Sequence, residues 1–166
     1  EIGNDRVEGT LKLYGKYPRE QLVNCSPSFA FTMTVPAQLE ARLESHNGDL
    51  TVTDLGGNLS GTTHNGDVVA KGSASKVAIE THNGDVRAEF AGQGALDGTV
   101  VTHNGNVTLA FADKVDATVE AATHNGSLNA KGLADAKISR RQLSGRVGAG
   151  TGKLSVTTHN GNVTVN

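Results

Sequence analysis

All six histidines of this chain occur in one tripeptide, His-Asn-Gly, at residues 46–48, 64–66, 82–84, 103–105, 124–126 and 159–161. A motif that returns in this way marks a unit that buries its apolar face against copies of itself, so the fold is solved once and then stacked. Counted on Gly48, Gly66, Gly84, Gly105, Gly126 and Gly161, the intervals are 18, 18, 21, 21 and 35. The last is wide enough for a degenerate unit. Gln142-Leu143-Ser144-Gly145-Arg146-Val147 reads as a decayed Thr-His-Asn-Gly-Asp-Val and divides the gap into 19 and 16. Seven units are expected, the sixth without its histidine.

Each unit reads as strand, turn, strand. Val77 to His82 alternates apolar and polar residues, and so does Asp85 to Phe90 after Asn83-Gly84. This alternation places Val77, Ile79, Thr81, Val86, Ala88 and Phe90 on one face and Glu80, His82, Asp85, Arg87 and Glu89 on the other. The same parity puts Leu39, Ala41, Leu43, Leu50 and Val52 inward in the first unit, with Glu40, Arg42, Glu44 and His46 outward. In the last unit Leu154, Val156, Val163 and Val165 oppose Ser155, Thr157 and His159. A slip of one residue would reverse every set, so their agreement is informative. No stretch carries a helical apolar stripe.

Asn-Gly is also the strongest short hairpin signal, because a type I′ turn needs positive φ at both central residues. An antiparallel hairpin meander is therefore the alternative fold. Against it, the tripeptide is nearly constant while the other connection of each unit varies, as in Leu55-Gly56-Gly57, Gly72-Ser73-Ala74 and Ala91-Gly92-Gln93-Gly94. Parallel coils set each residue about 4.8 Å from its counterpart, which rewards identity with ladders of like contacts. The expected fold is all-β, a single-stranded parallel β-helix or β-roll solenoid of about seven coils. Its repeat turns are Asn47-Gly48, Asn65-Gly66, Asn83-Gly84, Asn104-Gly105, Asn125-Gly126 and Asn160-Gly161.

Composition agrees with a narrow interior. Of 166 residues, 21 are Gly, 4% are aromatic and none is Trp, leaving Val, Leu, Ile, Ala and Thr to fill the core. One domain is expected, with solenoid repeats over 39–166 and an N-terminal β cap over 1–38. In that cap Val7–Leu13 and Phe29–Val35 read as strands, broken by Pro18, Pro27 and Pro36. Four of the six Phe and Tyr residues, Tyr14, Tyr17, Phe29 and Phe31, lie there and would cover the first coil. At the far end Val163–Asn166 stops in mid-strand, which suggests a homo-oligomer paired through the C-terminal edge, or a longer protein.

A formal charge of −2 offers no basic surface for a nucleic acid. Cys25 is the lone cysteine and reads as a small buried apolar residue. No apolar run is long enough to span a bilayer. The chain starts at Glu1 rather than Met, so export after removal of a leader, or excision from a longer protein, is the expectation.

The run Phe31-Thr32-Met33-Thr34-Val35-Pro36, then Leu39 to Glu44, then Ser45-His46-Asn47-Gly48-Asp49-Leu50-Thr51-Val52, resembles the opening of a bacterial adhesin-like β-strand repeat family. That family is a domain of unknown function, similar to the head domains of auto-transporter adhesins. The resemblance covers about residues 29–166. It implies a right-handed single-stranded β-helix in envelope or secreted proteins, with no established activity. Its Asn-Gly-Asp signature is matched at residues 47–49, 65–67 and 83–85, whereas Asn106, Ser127, Arg146 and Asn162 stand where Asp is expected.

The outward histidines should form a file, with His46, His64, His82, His103 and His124 continuous and His159 beyond a gap at Leu143. In the simplest reading their rings stack and shield the backbone ladder. A second reading is capture of Zn²⁺, Cu²⁺ or Ni²⁺ by His46, His64 and His82 with Asp49, Asp67 and Asp85; no other cofactor is implied. A third is a pH response, since protonating all six imidazoles would move the formal charge from −2 to +4. Thr63, Thr81, Thr102, Thr123 and Thr158, with Ser45 and Gln142, face inward by parity and would form a hydroxyl ladder serving the turns. With the opposite parity the threonines would make a flat file of the ice-binding kind, at the expense of burying histidines. Catalysis has no support, because the outward residues repeat instead of converging as acid and base.

The functional expectation is a non-enzymatic cell-envelope or secreted solenoid domain for adhesion, binding or assembly, with a protein or surface glycan as partner. The alternatives are a metal-binding or pH-responsive module and a filament subunit stacked end to end.

Overall fold

The computed structural model describes residues 2–7, 10–15, 30–112 and 114–166, all of them strand, turn or coil. Two compact units are present, residues 1–34 and 35–166, a boundary earlier than the one expected after residue 38.

In the first unit β1 (Ile2–Val7) pairs antiparallel with β2 (Thr10–Gly15), Val7 opposite Thr10. The single strand expected over Val7–Leu13 is thus parts of two strands. Alternation continues from one strand into the next without a break, so periodicity alone does not separate them. The strand expected over Phe29–Val35 is not formed in its described part, Ala30–Val35. Alternation supplies a face, but a strand also needs an edge to bond to, and none of these residues has one. Tyr17, Pro18, Cys25, Pro27 and Phe29 lie outside the described residues.

The second unit begins with a turn in which Leu39 N–H donates to Pro36 O at 3.0 Å. Its strands are β3 (Ala41–Asn47), β4 (Leu50–Leu55), β5 (Leu59–Asn65), β6 (Val68–Gly72), β7 (Lys76–Asn83), β8 (Val86–Phe90), β9 (Gly94–Ala95), β10 (Asp97–Asn104), β11 (Val107–Phe111), β12 (Val115–Asn125), β13 (Leu128–Ala130), β14 (Ala134–Ile138), β15 (Gln142–Val147), β16 (Gly152–Asn160) and β17 (Val163–Val165). The strands before each Asn-Gly form one sheet and the strands after it another, both with parallel pairing from rung to rung. The meander alternative is excluded by that pairing.

The spatial order differs from the chain order. The first sheet runs β3-β5-β7-β10-β16-β12-β15-β14 and the second β4-β6-β8-β11-β17-β13. The last His-Asn-Gly unit is therefore inserted between the fourth and the fifth. Val100 pairs with Val156, which pairs with Ala121, and Val107 pairs with Val163, which pairs with Leu128. β9 still bonds directly to Val115 and Asp116, and β16 enters just beyond, at Gly152. Gly152 is buried, and a Cβ there would lie 2.6 Å from Leu96 N. Lys153 N–H donates to Asp97 Oδ1 at 2.9 Å beside it.

Two expectations are corrected by this order. Residues 142–147 do not form a sixth parallel coil: β15 runs antiparallel to β12 and β14 antiparallel to β15. The segment closes the end of the first sheet, with Leu143 buried at 2% exposure. The second correction concerns the C-terminal edge. β17 lies between β11 and β13, bonded on both sides, so Val163–Val165 offers no free edge to a second subunit.

Inward parity holds in the His-Asn-Gly rungs but is reversed in residues 142–147. There Gln142, expected inward, is exposed and Leu143, expected in the outward histidine column, is buried because β15 runs antiparallel to β12. Val77, Ile79, Thr81, Val86, Ala88 and Phe90 are all buried, as are Leu154, Val156, Val163 and Val165. In the first rung Ala41, Leu43, Leu50 and Val52 are half-buried, since among the described residues its strands pair on one side only, and Leu39 is exposed. One apolar cluster links the two sheets from Leu55 and Leu59 to Leu143.

Candidate functional site

Each rung brings the same four side chains to the corner between the two sheets, and each makes a different ladder. The buried threonine donates its hydroxyl to the glycine carbonyl of the adjoining rung: Thr63 to Gly48, Thr81 to Gly66, Thr102 to Gly84, Thr158 to Gly105 and Thr123 to Gly161, at 2.8–3.1 Å. The hydroxyl ladder thus satisfies turn carbonyls. A buried carbonyl without such a donor would be destabilising.

The asparagines form an amide ladder. Asn65 Nδ2 donates to Asn47 Oδ1, and the chain continues through Asn83, Asn104, Asn160 and Asn125, with bonds of 2.7–2.8 Å. Identical in-register amides satisfy one another's donor and acceptor, a pairing that only parallel stacking permits.

The glycines are required by crowding more than by φ. Of the six, Gly48 alone lies at positive φ. A Cβ on Gly66, Gly84, Gly105, Gly126 or Gly161 would instead collide with the carbonyl of the neighbouring glycine in the stack. The I′ hairpin reason for Asn-Gly therefore does not apply here; close approach of backbones does.

The residue after glycine forms a third side-chain ladder. Asp67 N–H donates to Asp49 Oδ1, Asp85 to Asp67, Asn106 to Asp85, Asn162 to Asn106 and Ser127 to Asn162, at 2.7–3.0 Å. The departures from Asp along the sequence are thereby explained: Asn106 and Asn162 keep the oxygen acceptor, and Ser127, last in the stack, needs none. Arg146 in this column was the signal that residues 142–147 are not a rung.

The histidines stand exposed on the outer face as one unbroken file. Its order is His46, His64, His82, His103, His159, His124, with ring centroids 5.0, 4.8, 4.8, 4.8 and 4.7 Å apart and interplanar angles of 28°, 5°, 12°, 2° and 6°. The expected gap before His159 does not exist, because β16 is inserted there. A groove of about 530 Å³ runs beside the far end of the file, lined by His82, His103, His159 and His124 together with Val101 and Arg141. Val101 is an outward apolar residue, 39% exposed. No ion pair among the described residues uses Arg141. Sequence reasoning missed Arg141, which reaches the groove only because β15 doubles back along β12.

For a metal, the arrangement is unfavourable as it stands. Ring-nitrogen lone pairs lie in the plane of each imidazole, and face-to-face rings direct them past one another, so a shared ion would require two rings to leave the stack. Asp49, Asp67 and Asp85 each already accept a backbone N–H. Among the described residues, no group of three or more His, Cys, Asp or Glu converges as a ligand set.

Elsewhere the charged groups pair locally. Lys71 hydrogen-bonds Glu89 at 3.1 Å and, with Arg87 at 3.2 Å, holds its carboxyl below the ordinary value of 4.5. Arg146 on β15 pairs with Asp135 on β14 and likewise lowers that carboxyl from 3.8. Asp135 sits at φ 52°, within the irregular pairing of β14 with β15.

The Toastrack DUF4097 family model matches residues 33–166. The chain belongs to the Toastrack family. The expected membership of a repeat-like family of unknown function is met, and the match carries no adhesin designation. Searches of curated proteins and of solved structures return no match. Among the described residues of this Toastrack domain, no helix is long and apolar enough to cross a membrane.

Proposed function

We propose that this Toastrack domain is a non-enzymatic binding module of the cell envelope or of a secreted protein, using the imidazole file and its groove to hold an extended, acidic surface glycan. The observation that carries the reading is the unbroken register of six outward imidazoles, each one rung from the next. A column presenting one chemistry at a constant interval suits a ligand that also repeats, since each further unit binds at high effective concentration. Arg141 adds a cation and Val101 an apolar contact at the same place. Repetition of one side chain, in place of a convergent acid and base, favours binding over catalysis.

The test is titration with acidic oligosaccharides of increasing length, followed through the histidine ring resonances by NMR. The expected result is perturbation centred on His103, His159 and His124, with affinity rising with length and falling in Arg141→Ala. Unmoved imidazoles at every length would reject the glycan reading. Cell fractionation tests the envelope setting separately.

A further inference from the structure

The six Asn-Gly pairs are identical in sequence but not in surroundings. Five of the glycine N–H groups are engaged by the next rung: Gly48 by Asn65 O at 2.8 Å, Gly66 by Asn83 O at 3.0 Å, Gly84 by Asn104 O at 3.0 Å, Gly105 by Asn160 O at 3.0 Å and Gly161 by Asn125 O at 2.9 Å. Gly126 belongs to the last rung of the stack. The chain leading into β15 has left β12 by then, its final bond being Thr123 N–H to Arg141 O at 3.1 Å, one residue before β15 begins. Among the described residues no acceptor meets the Gly126 N–H.

The Asn125 side chain is held from one side only. Its Nδ2 donates to Asn160 Oδ1 at 2.8 Å, and no donor among the described residues reaches its Oδ1. Asn125 and Gly126 are both exposed, whereas Gly66, Gly84, Gly105 and Gly161 are half-buried. At the other end of the stack Gly48 is exposed too, but its N–H is bonded.

We infer that Asn125-Gly126 is a site of spontaneous deamidation, from which the other five Asn-Gly pairs are protected by the stack. The Gly126 nitrogen gives up its proton and bonds to Asn125 Cγ, while the Cγ–Nδ2 bond breaks and ammonia leaves. Water then opens the cyclic imide at either carbonyl, leaving aspartate or isoaspartate. At the other five pairs this attack must first break the glycine N–H bond to the next rung, so reaction there waits on local opening. At Asn125 only the amide bond to Asn160 is lost. The product puts a carboxylate opposite Asn160 Oδ1, which then lacks its donor, and adds a negative charge beside His124 and His159. The site is thus a built-in ageing mark at one end of the imidazole file.

The experiment incubates the native protein in mildly alkaline buffer and follows all six Asn-Gly peptides by mass spectrometry, with fragmentation that separates isoaspartate from aspartate. Acid should accumulate at Asn125 at least about tenfold faster than at any other pair, the ratio expected for one or two protecting hydrogen bonds. In concentrated urea the six rates should converge. A native Asn125 rate no higher than the rest would overturn the inference, as would an undiminished total acid gain in Asn125→Ser.

Discussion

The Thr102 hydroxyl donates to the Gly84 carbonyl at 3.0 Å, in the middle of a stack where the threonine is 1% exposed. Thr102→Val keeps the shape of the side chain and removes the donor, leaving the carbonyl unsatisfied. A loss of about 1–3 kcal/mol is expected in urea unfolding. Ser45→Ala serves as the control, because Ser45 occupies the same column in the first rung, where among the described residues no rung lies on its outer side. Its effect should be much smaller.

Gly152 marks where the inserted strand enters. Gly152→Val would set a side chain against the Leu96 backbone. Amide protection should be lost on both sides of the insertion, in β10 and β12 together, while β3 and β5 keep theirs. Hydrogen exchange read by mass spectrometry distinguishes this from uniform destabilisation.

Protonation of the file would place like charges about 4.8 Å apart, repelling by about 0.9 kcal/mol per neighbouring pair even at the dielectric of water. The urea midpoint should therefore be lower in mild acid than at neutral pH. His82→Gln with His103→Gln removes three of the five ring contacts and should flatten that fall. An equal slope in the variant would show that the stack does not sense acid.

The carboxyls of Asp135 and Glu89 are lowered below 3.8 and 4.5 by Arg146 and by Lys71 with Arg87. A carboxyl lowered in the folded state binds its proton less readily there than in the unfolded chain. Its stabilisation is complete above those ordinary values and is lost as the pH falls through the folded ones. Asp135→Asn and Glu89→Gln should each reduce the acid sensitivity of the melting temperature in that lower window. Because Asp135 is exposed and Glu89 only half-buried, the effects should be small.

Much of the fold was legible because a period of two and a period of one unit reinforce each other. Parity alone placed Val77, Ile79 and Thr81 inside and His82 outside, and the constancy of the tripeptide favoured parallel stacking. The order of stacking was not legible, because a rung bonds equally well to any copy of itself. Identical His-Asn-Gly units carry no information about which is next to which. Only the odd residues do: Ser127 can end the acceptor ladder and Arg146 cannot join it. Positive φ is the reason for Asn-Gly in the hairpin alternative alone, and crowding between stacked glycine carbonyls leaves the same sequence signature in a parallel stack. The site was half visible, as the histidine file follows from parity, while Arg141 and the groove depend on the return of β15 along β12.

Because β16 and β17 bond to the fourth unit on one side and to the fifth on the other, a ribosome delivers both walls of the slot before the segment that fills it. The growing chain can zip as far as Phe111, and β9 then holds Val115 and Asp116, but the segment 117–130 pairs only with strands that emerge later, β15 from residue 142, β16 from residue 152 and β17 from residue 163. Assembly from the amino end must therefore pause, or first close wrongly and reopen, which gives a stack of nearest-neighbour contacts the delayed completion otherwise associated with long-range topologies.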